Sequence, residues 1–211
     1  MNKIKVTPYY MLASVLFVVC LLLSNVAAVK TIAVGPLTLT AAVILFPITY
    51  IVNDLLAEVY GFERARFTIY LGFAMNILMV IFFAITIWMP HPEYFGLQEA
   101  YANILGNTPR ILVASLAAYL IGTTLNAKVM VKMRDASKGG KGLFLRCMLS
   151  TLLGEACDSV IFVTIGFLGV MPIKTLFGMI VTQTLFKTTY EVIAFPLTKV
   201  VVKKVQQLEG M

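Results

Sequence analysis

Six ionisable side chains stand inside otherwise apolar stretches of this sequence, and their spacing is regular. Asp54 and Glu58 are four residues apart, Glu155 and Asp158 three, and Lys187 and Glu191 four, so on helices each pair shares one face. The same stripes collect Tyr50 and Ala57 with the first pair, Thr151, Gly154 and Phe162 with the second, and Gln183, Tyr190 and Ala194 with the third, while Asn53 adjoins Asp54. A charged group at the centre of a lipid-spanning helix costs about 2.5 to 3.5 kcal/mol on insertion scales. The faces are therefore expected to look inward, onto one interior cavity. Five carboxylates against one lysine leave negative charge over, which can accept from a cationic or NH-rich ligand or carry protons. A purely structural reading is an interhelical ion pair of Lys187 with Asp158 or Asp54.

The elements that must position these groups follow from composition. Of 211 residues 60% are hydrophobic and only 13% charged, with a mean hydropathy of +0.91, which leaves too little polar surface to cover a water-soluble globule. The expected fold is an all-α integral membrane protein, a single polytopic domain over 1–211. A span needs about 20 apolar residues. Charge-sparse runs place six helices at about 8–29, 37–60, 67–89, 111–130, 143–170 and 175–202, with an external loop at 90–110 and a basic cytoplasmic loop at 131–142. Within this scheme Pro47 falls in mid-helix, where it would remove a backbone hydrogen bond. Ser24, Asn25 and Ala28 form a stripe on the first segment, Gly72 and Asn76 lie on the third, and Gly122 and Asn126 on the fourth. Close helix packing is the plainer account of most of these small and amide residues.

The net charge of +7 does not mark a nucleic-acid binder, because the basic residues are distributed by loop rather than along one face. Lys3, Lys5, Arg64, Arg66, Lys128, Lys132, Arg134, Lys138, Lys141, Arg146, Lys199, Lys203 and Lys204 fall on one side, against Lys30, Arg110 and Lys174 on the other. That is thirteen against three, with Lys187 in the membrane completing the 17. The positive-inside rule then puts both termini in the cytoplasm. Three segments before the external loop and three after it make two halves of inverted topology. Lys138 to Lys141 lacks the pattern of a phosphate-binding loop, and Cys20, Cys147 and Cys157 have neither C-x-x-C spacing nor a histidine partner. No metal or other cofactor is expected.

Ser24-Asn25, the run from Phe46 to Asp54 continuing to Glu58-Val59-Tyr60-Gly61, the pairs Gly154-Glu155 and Asp158-Ser159, and Lys187 through Tyr190-Glu191 to Pro196 resemble the queuosine-precursor transporter family, also called the vitamin uptake transporter family. The resemblance runs from about Ser24 to Pro196. It implies an importer, not an enzyme, in the bacterial plasma (inner) membrane, which takes up a 7-deazapurine for tRNA modification: the nitrile or aminomethyl precursor, or queuine. Such a base presents adjacent NH donors that a carboxylate can accept in bidentate fashion, a carbonyl acceptor and a flat ring. The residues are assigned accordingly. Asp54, Glu155 and Asp158 are expected as acceptors, Asn25, Asn53 and Gln183 as amide contacts, Tyr50 and Phe162 as stacking walls, and Lys187 as charge partner or donor. Glu58 and Glu191 are expected to relay protons or to pair with cations.

The expected partners are the bilayer and the small base, with self-association left open and no nucleic acid. Two alternatives stand beside this reading. One is the substrate-binding subunit of an energy-coupling-factor vitamin transporter, which would need ATPase partners. The other, more distant, is an intramembrane aspartyl protease, whose G-x-G-D signature is absent, since Ala156-Cys157 precede Asp158.

Overall fold

A computed structural model describes residues 6–35, 37–136 and 143–210. Lys3, Lys5, Pro36 and the basic stretch Lys138 to Lys141 lie outside the described residues. In chain order the elements are α1 (Pro8–Ala27), a hairpin of β1 (Thr31–Val34) and β2 (Leu37–Thr40), a single 3-10 turn (Ala41–Ile44), α2 (Phe46–Tyr60), α3 (Phe62–Trp88), α4 (Gln98–Leu105), α5 (Thr108–Ala136), α6 (Leu143–Phe167) and α7 (Ile173–Glu209). Four stretches among the described residues are long and apolar enough to cross a membrane. They are Pro8–Ala27, Phe62–Trp88, Gln98–Asn126, which runs through α4 into α5, and Met148–Phe167. The chain is thus a predominantly helical membrane protein.

The segment expected as one helix over 37–60 divides in two. Thr31-Ile32-Ala33-Val34 and Leu37-Thr38-Leu39-Thr40 are rich in β-branched residues around Gly35-Pro36, and they pair antiparallel with Thr31 opposite Thr40 and Val34 opposite Leu37. Gly35 takes φ +60°, the conformation a two-residue hairpin loop requires at its first central position. Helix α2 starts only at Phe46, so Pro47 sits in its first turn and not in mid-helix. There its missing N–H costs nothing and its fixed φ suits helix entry. With 15 residues, α2 is about 22 Å long, short of the roughly 30 Å hydrocarbon core.

Other helices outrun the apolar stretches that mark them in the sequence. α3 begins at Phe62, α5 continues to Ala136, and α7 reaches Glu209 over 37 residues. Lys, Arg, Glu and Gln are good helix formers, so a helix does not stop where its lipid-compatible portion does. The 90–110 loop contains a helix of its own, α4.

By its contacts the chain divides into two bodies. The first comprises 1–28, 41–106 and 190–211. In it α1 packs on α2 and α3, burying Tyr10, Ala13, Phe17 and Cys20 and leaving Leu12, Val15, Val19 and Leu23 outward where lipid can cover them. Tyr101 bonds Thr86 (Oη to Oγ1, 2.9 Å), and Gln98 Nε2 donates to the Ile87 carbonyl at 3.0 Å, which ties α4 to α3.

The second body comprises 29–40 and 107–189, namely the hairpin, α5, α6 and the first part of α7. α5 and α6 pack along their length. Arg110 donates from Nε to the Ile165 carbonyl at 2.6 Å and from Nη2 to that of Leu168, so a cation serves the orphan carbonyls at the end of α6.

Candidate substrate-binding site

Lys187 reaches Glu155 and Asp158 across a five-residue connection between α6 and α7, which means the two helices run back past each other. Its Nζ donates to Asp158 Oδ2 and lies 3.3 Å from Glu155 Oε2. The lysine side chain is 7% exposed and the carboxylates 18% and 20%. One ammonium among two carboxylates leaves the triad with a formal charge of −1. Glu155 and Asp158 can both reach the same nitrogen because their three-residue spacing puts them on one face of α6. Of the two partners the sequence left open for Lys187, the structure provides Asp158, and adds Glu155.

What brings α5 against this face is the absence of side chains. A Cβ on Gly122 would lie 3.0 Å from Asp158 Cβ and 3.1 Å from the Gly154 carbonyl oxygen, and one on Gly154 would lie 2.8 Å from Asn126 Cβ. Close approach of this kind is the usual role of small residues between membrane helices. Phe162, one turn beyond Asp158, is buried and meets Phe167 edge to face at a centroid distance of 6.0 Å, which fixes its ring as a wall. Gln183, one turn before Lys187, is 1% exposed, and neither of its amide atoms has a hydrogen-bond partner among the described residues. Ser159 is fully buried and its Oγ likewise has no partner among the described residues. Ser159 counts in the sequence only as part of the Asp158-Ser159 pair that carries the family resemblance; its buried, unpartnered hydroxyl is visible only in the structure.

The remaining candidates lie in the first body. Tyr50, Asn53 and Asp54 are half-buried on α2, Glu58 is exposed, and Glu191 is half-buried near the middle of α7. Asn25 is buried and donates from Nδ2 to Asn76 Oδ1 at 2.7 Å, while Asn76 Nδ2 donates to the Gly72 carbonyl at 2.9 Å. The small and amide residues of α1 and α3 thus form one packed seam. In the same body Glu209 accepts from Thr7 Oγ1 and from Tyr60 Oη, the latter at 2.7 Å. Nothing in the sequence links those three positions.

Comparison with known proteins bears on what such a site serves. Residues 40–201 match the family described as "Putative vitamin uptake transporter". A protein of Bacillus subtilis (strain 168) named "Probable queuosine precursor transporter" is 28% identical over 174 residues, covering 82% of this chain and 76% of the relative. No solved structure matches. The matched region contains α2 through most of α7 and with them the whole triad, and the family and the relative's name make the chain a transporter and not an enzyme. The chain belongs to the vitamin uptake transporter family.

Proposed function

We propose that this chain imports a queuosine precursor, a 7-deazapurine base, across a bacterial plasma membrane. The observation that carries the reading is the Lys187–Asp158–Glu155 triad, a buried charged cluster with one carboxylate in excess, in a chain related to a protein named for that substrate. A carboxylate accepts the paired NH groups of the base, Lys187 donates to its carbonyl, and Phe162 offers a face to the ring. Gln183 supplies an amide. Tyr50, Asn53 and Asp54 on α2, with Asn25, are a second candidate set, and Glu58 and Glu191 are candidate proton carriers. The excess carboxylate gives the carrier a group that can load a proton together with the base, so import is proton-coupled.

The chain crosses the bilayer six times with both termini in the cytoplasm. The thirteen-to-three distribution of basic residues supports this orientation, and labelling of single cysteines placed at Gly96 and Gly210 from outside intact cells tests it. Gly96 should be labelled and Gly210 protected.

Uptake of labelled 7-deazapurine into proteoliposomes holding the purified chain alone tests the function. Saturable uptake by the chain alone is expected, faster with an inward proton gradient, and abolished in Asp158→Asn and Lys187→Ala. Absence of uptake without ATPase partners would remove the carrier reading, and indifference to the gradient would remove the coupling.

A further inference from the structure

Hydroxyls on these helices have a default partner. Thr123, Thr124, Thr182, Thr184 and Thr198 each donate to the carbonyl four residues earlier, the usual refuge of a hydroxyl on an apolar helix. Ser159 has the same carbonyl within reach and does not use it. Ser159 is fully buried and Gln183 is 1% exposed, yet the hydroxyl and both amide atoms have no partner among the described residues. Thr188 and Thr40 share that state in the second body, but Thr188 is only half-buried and Thr40 lies in the hairpin. Ser159 and Gln183 instead adjoin the triad. Ser159 follows Asp158 toward the C-terminal end of α6, and Gln183 stands one turn before Lys187 on α7, which runs the opposite way. Both are therefore displaced from the triad in the same direction. A buried polar group without a partner is destabilising in itself.

Beside these neutral oxygens stands a charge that the neighbouring stretches do not balance. The triad carries −1, and apart from its own members the sequence is uncharged over 31–40 in the hairpin, 111–127 on α5, 147–167 on α6 and 175–189 on α7. An ordered water would serve the hydroxyl and the amide but leave the surplus charge buried, which is the larger penalty. A proton would neutralise the carboxylate and leave the neutral oxygens unused. One ligand class answers both observations, a monovalent cation held by oxygen atoms. We infer that Asp158 Oδ1, Ser159 Oγ and Gln183 Oε1 bind a sodium ion beside the triad, with water completing its shell. Lys187 takes Asp158 Oδ2, so the ion sits on the other carboxylate oxygen, away from the ammonium. A divalent ion would overshoot the single surplus charge, and calcium takes about 6–8 oxygens. A small set of short side chains suits sodium better than the larger potassium. The ion also orients the amide: with Oε1 turned to it, Nε2 is left for the base. In the absence of sodium the same carboxylate remains the proton carrier of the transport reading. The site goes beyond that reading and stands without it.

The test uses the purified full chain in detergent, titrated with radioactive sodium in choline chloride at constant ionic strength and melted in sodium, potassium or choline chloride. Saturable binding and a melting temperature that rises with sodium are expected, with potassium competing at least about tenfold less well. Ser159→Ala and Gln183→Leu each remove one oxygen ligand and should weaken sodium binding by about tenfold. Neither should lower the melting temperature in choline chloride, because each replaces an unpartnered buried polar group with an apolar one. Equal melting temperatures in the three salts, without saturable binding, would overturn the inference. Wild-type sodium affinity in both variants would overturn it as well, because the ion would then be held elsewhere. If Gln183→Leu does not insert, Ser159→Ala decides alone, since it deletes a single atom. Uptake of labelled 7-deazapurine by a chain that binds no sodium overturns this inference and leaves the transport reading standing. Sodium binding by a chain without uptake does the reverse.

Discussion

Gly122 on α5 and Gly154 on α6 oppose each other reciprocally: a Cβ on either would stand 3.1 Å from the other's carbonyl oxygen. This contact lies directly beside Asp158 and Glu155, so the spacing of α5 from α6 and the position of the carboxylates are one geometric fact. Gly154→Ala would put its methyl 2.8 Å from Asn126 Cβ, a neighbour held by its backbone. Overpacking of this kind costs about 1–3 kcal/mol. We expect both a lower melting temperature and impaired uptake. Gly166→Ala, whose nearest neighbour is the Ile111 Cδ1 at 3.4 Å, should keep both; equal damage from the two substitutions would refute the account.

Lys187 supplies the one positive charge to two carboxylates, and its removal should be felt before any substrate is added. Breaking a buried ion pair on one side destabilises by about 3–5 kcal/mol, so Lys187→Met should melt well below wild type in detergent. Adding Asp158→Asn and Glu155→Gln to that variant removes the uncompensated charge and should recover most of the loss, with uptake still absent. Failure to recover would mean that Lys187 holds the fold through something other than charge.

Asn25 and Asn76 join α1 to α3 by a buried amide pair. Interhelical hydrogen bonds in membrane proteins average about 0.6 kcal/mol and reach about 1.7. A double-mutant cycle on Asn25→Ala and Asn76→Ala should return a coupling energy in this range. A cycle that closes at zero would show that the pair is not formed in the bilayer.

Glu209 near the end of α7 accepts from Thr7 and Tyr60, which cap α1 and finish α2. Glu209→Ala leaves a buried tyrosine hydroxyl without its acceptor, worth about 1–3 kcal/mol. Increased proteolysis of both chain ends is expected, with the substrate affinity of the remaining intact protein unchanged. A change in that affinity would place Glu209 in the transport machinery instead.

Much of this molecule was legible in the residue order alone. Apolar run length identified helices around α1, α3, α5 and α6, because exposing backbone to lipid is so costly that length and composition leave few choices. The three- and four-residue spacing of Glu155 with Asp158 and Gln183 with Lys187 placed each pair on one face, since helix periodicity is fixed. The family was legible too, carried by the residues from Phe46 to Tyr60 and from Gly154 to Glu191.

Other features were decided in three dimensions. Residues 37–45 read as the start of a span, but their apolar content does not say whether the chain curls or pairs; the positive φ of Gly35 and the facing strand made a hairpin of them. Helix ends outran the apolar segments because charged residues propagate a helix as well as apolar ones do. Whether Lys187 met Asp54 or Asp158 could not be read from spacing along separate segments, and the antiparallel return of α7 along α6 settled it in favour of Asp158 with Glu155. The unpartnered state of Ser159 and Gln183 is also purely tertiary. A sequence reports that a hydroxyl is present, and only packing determines whether anything is left for it to bond.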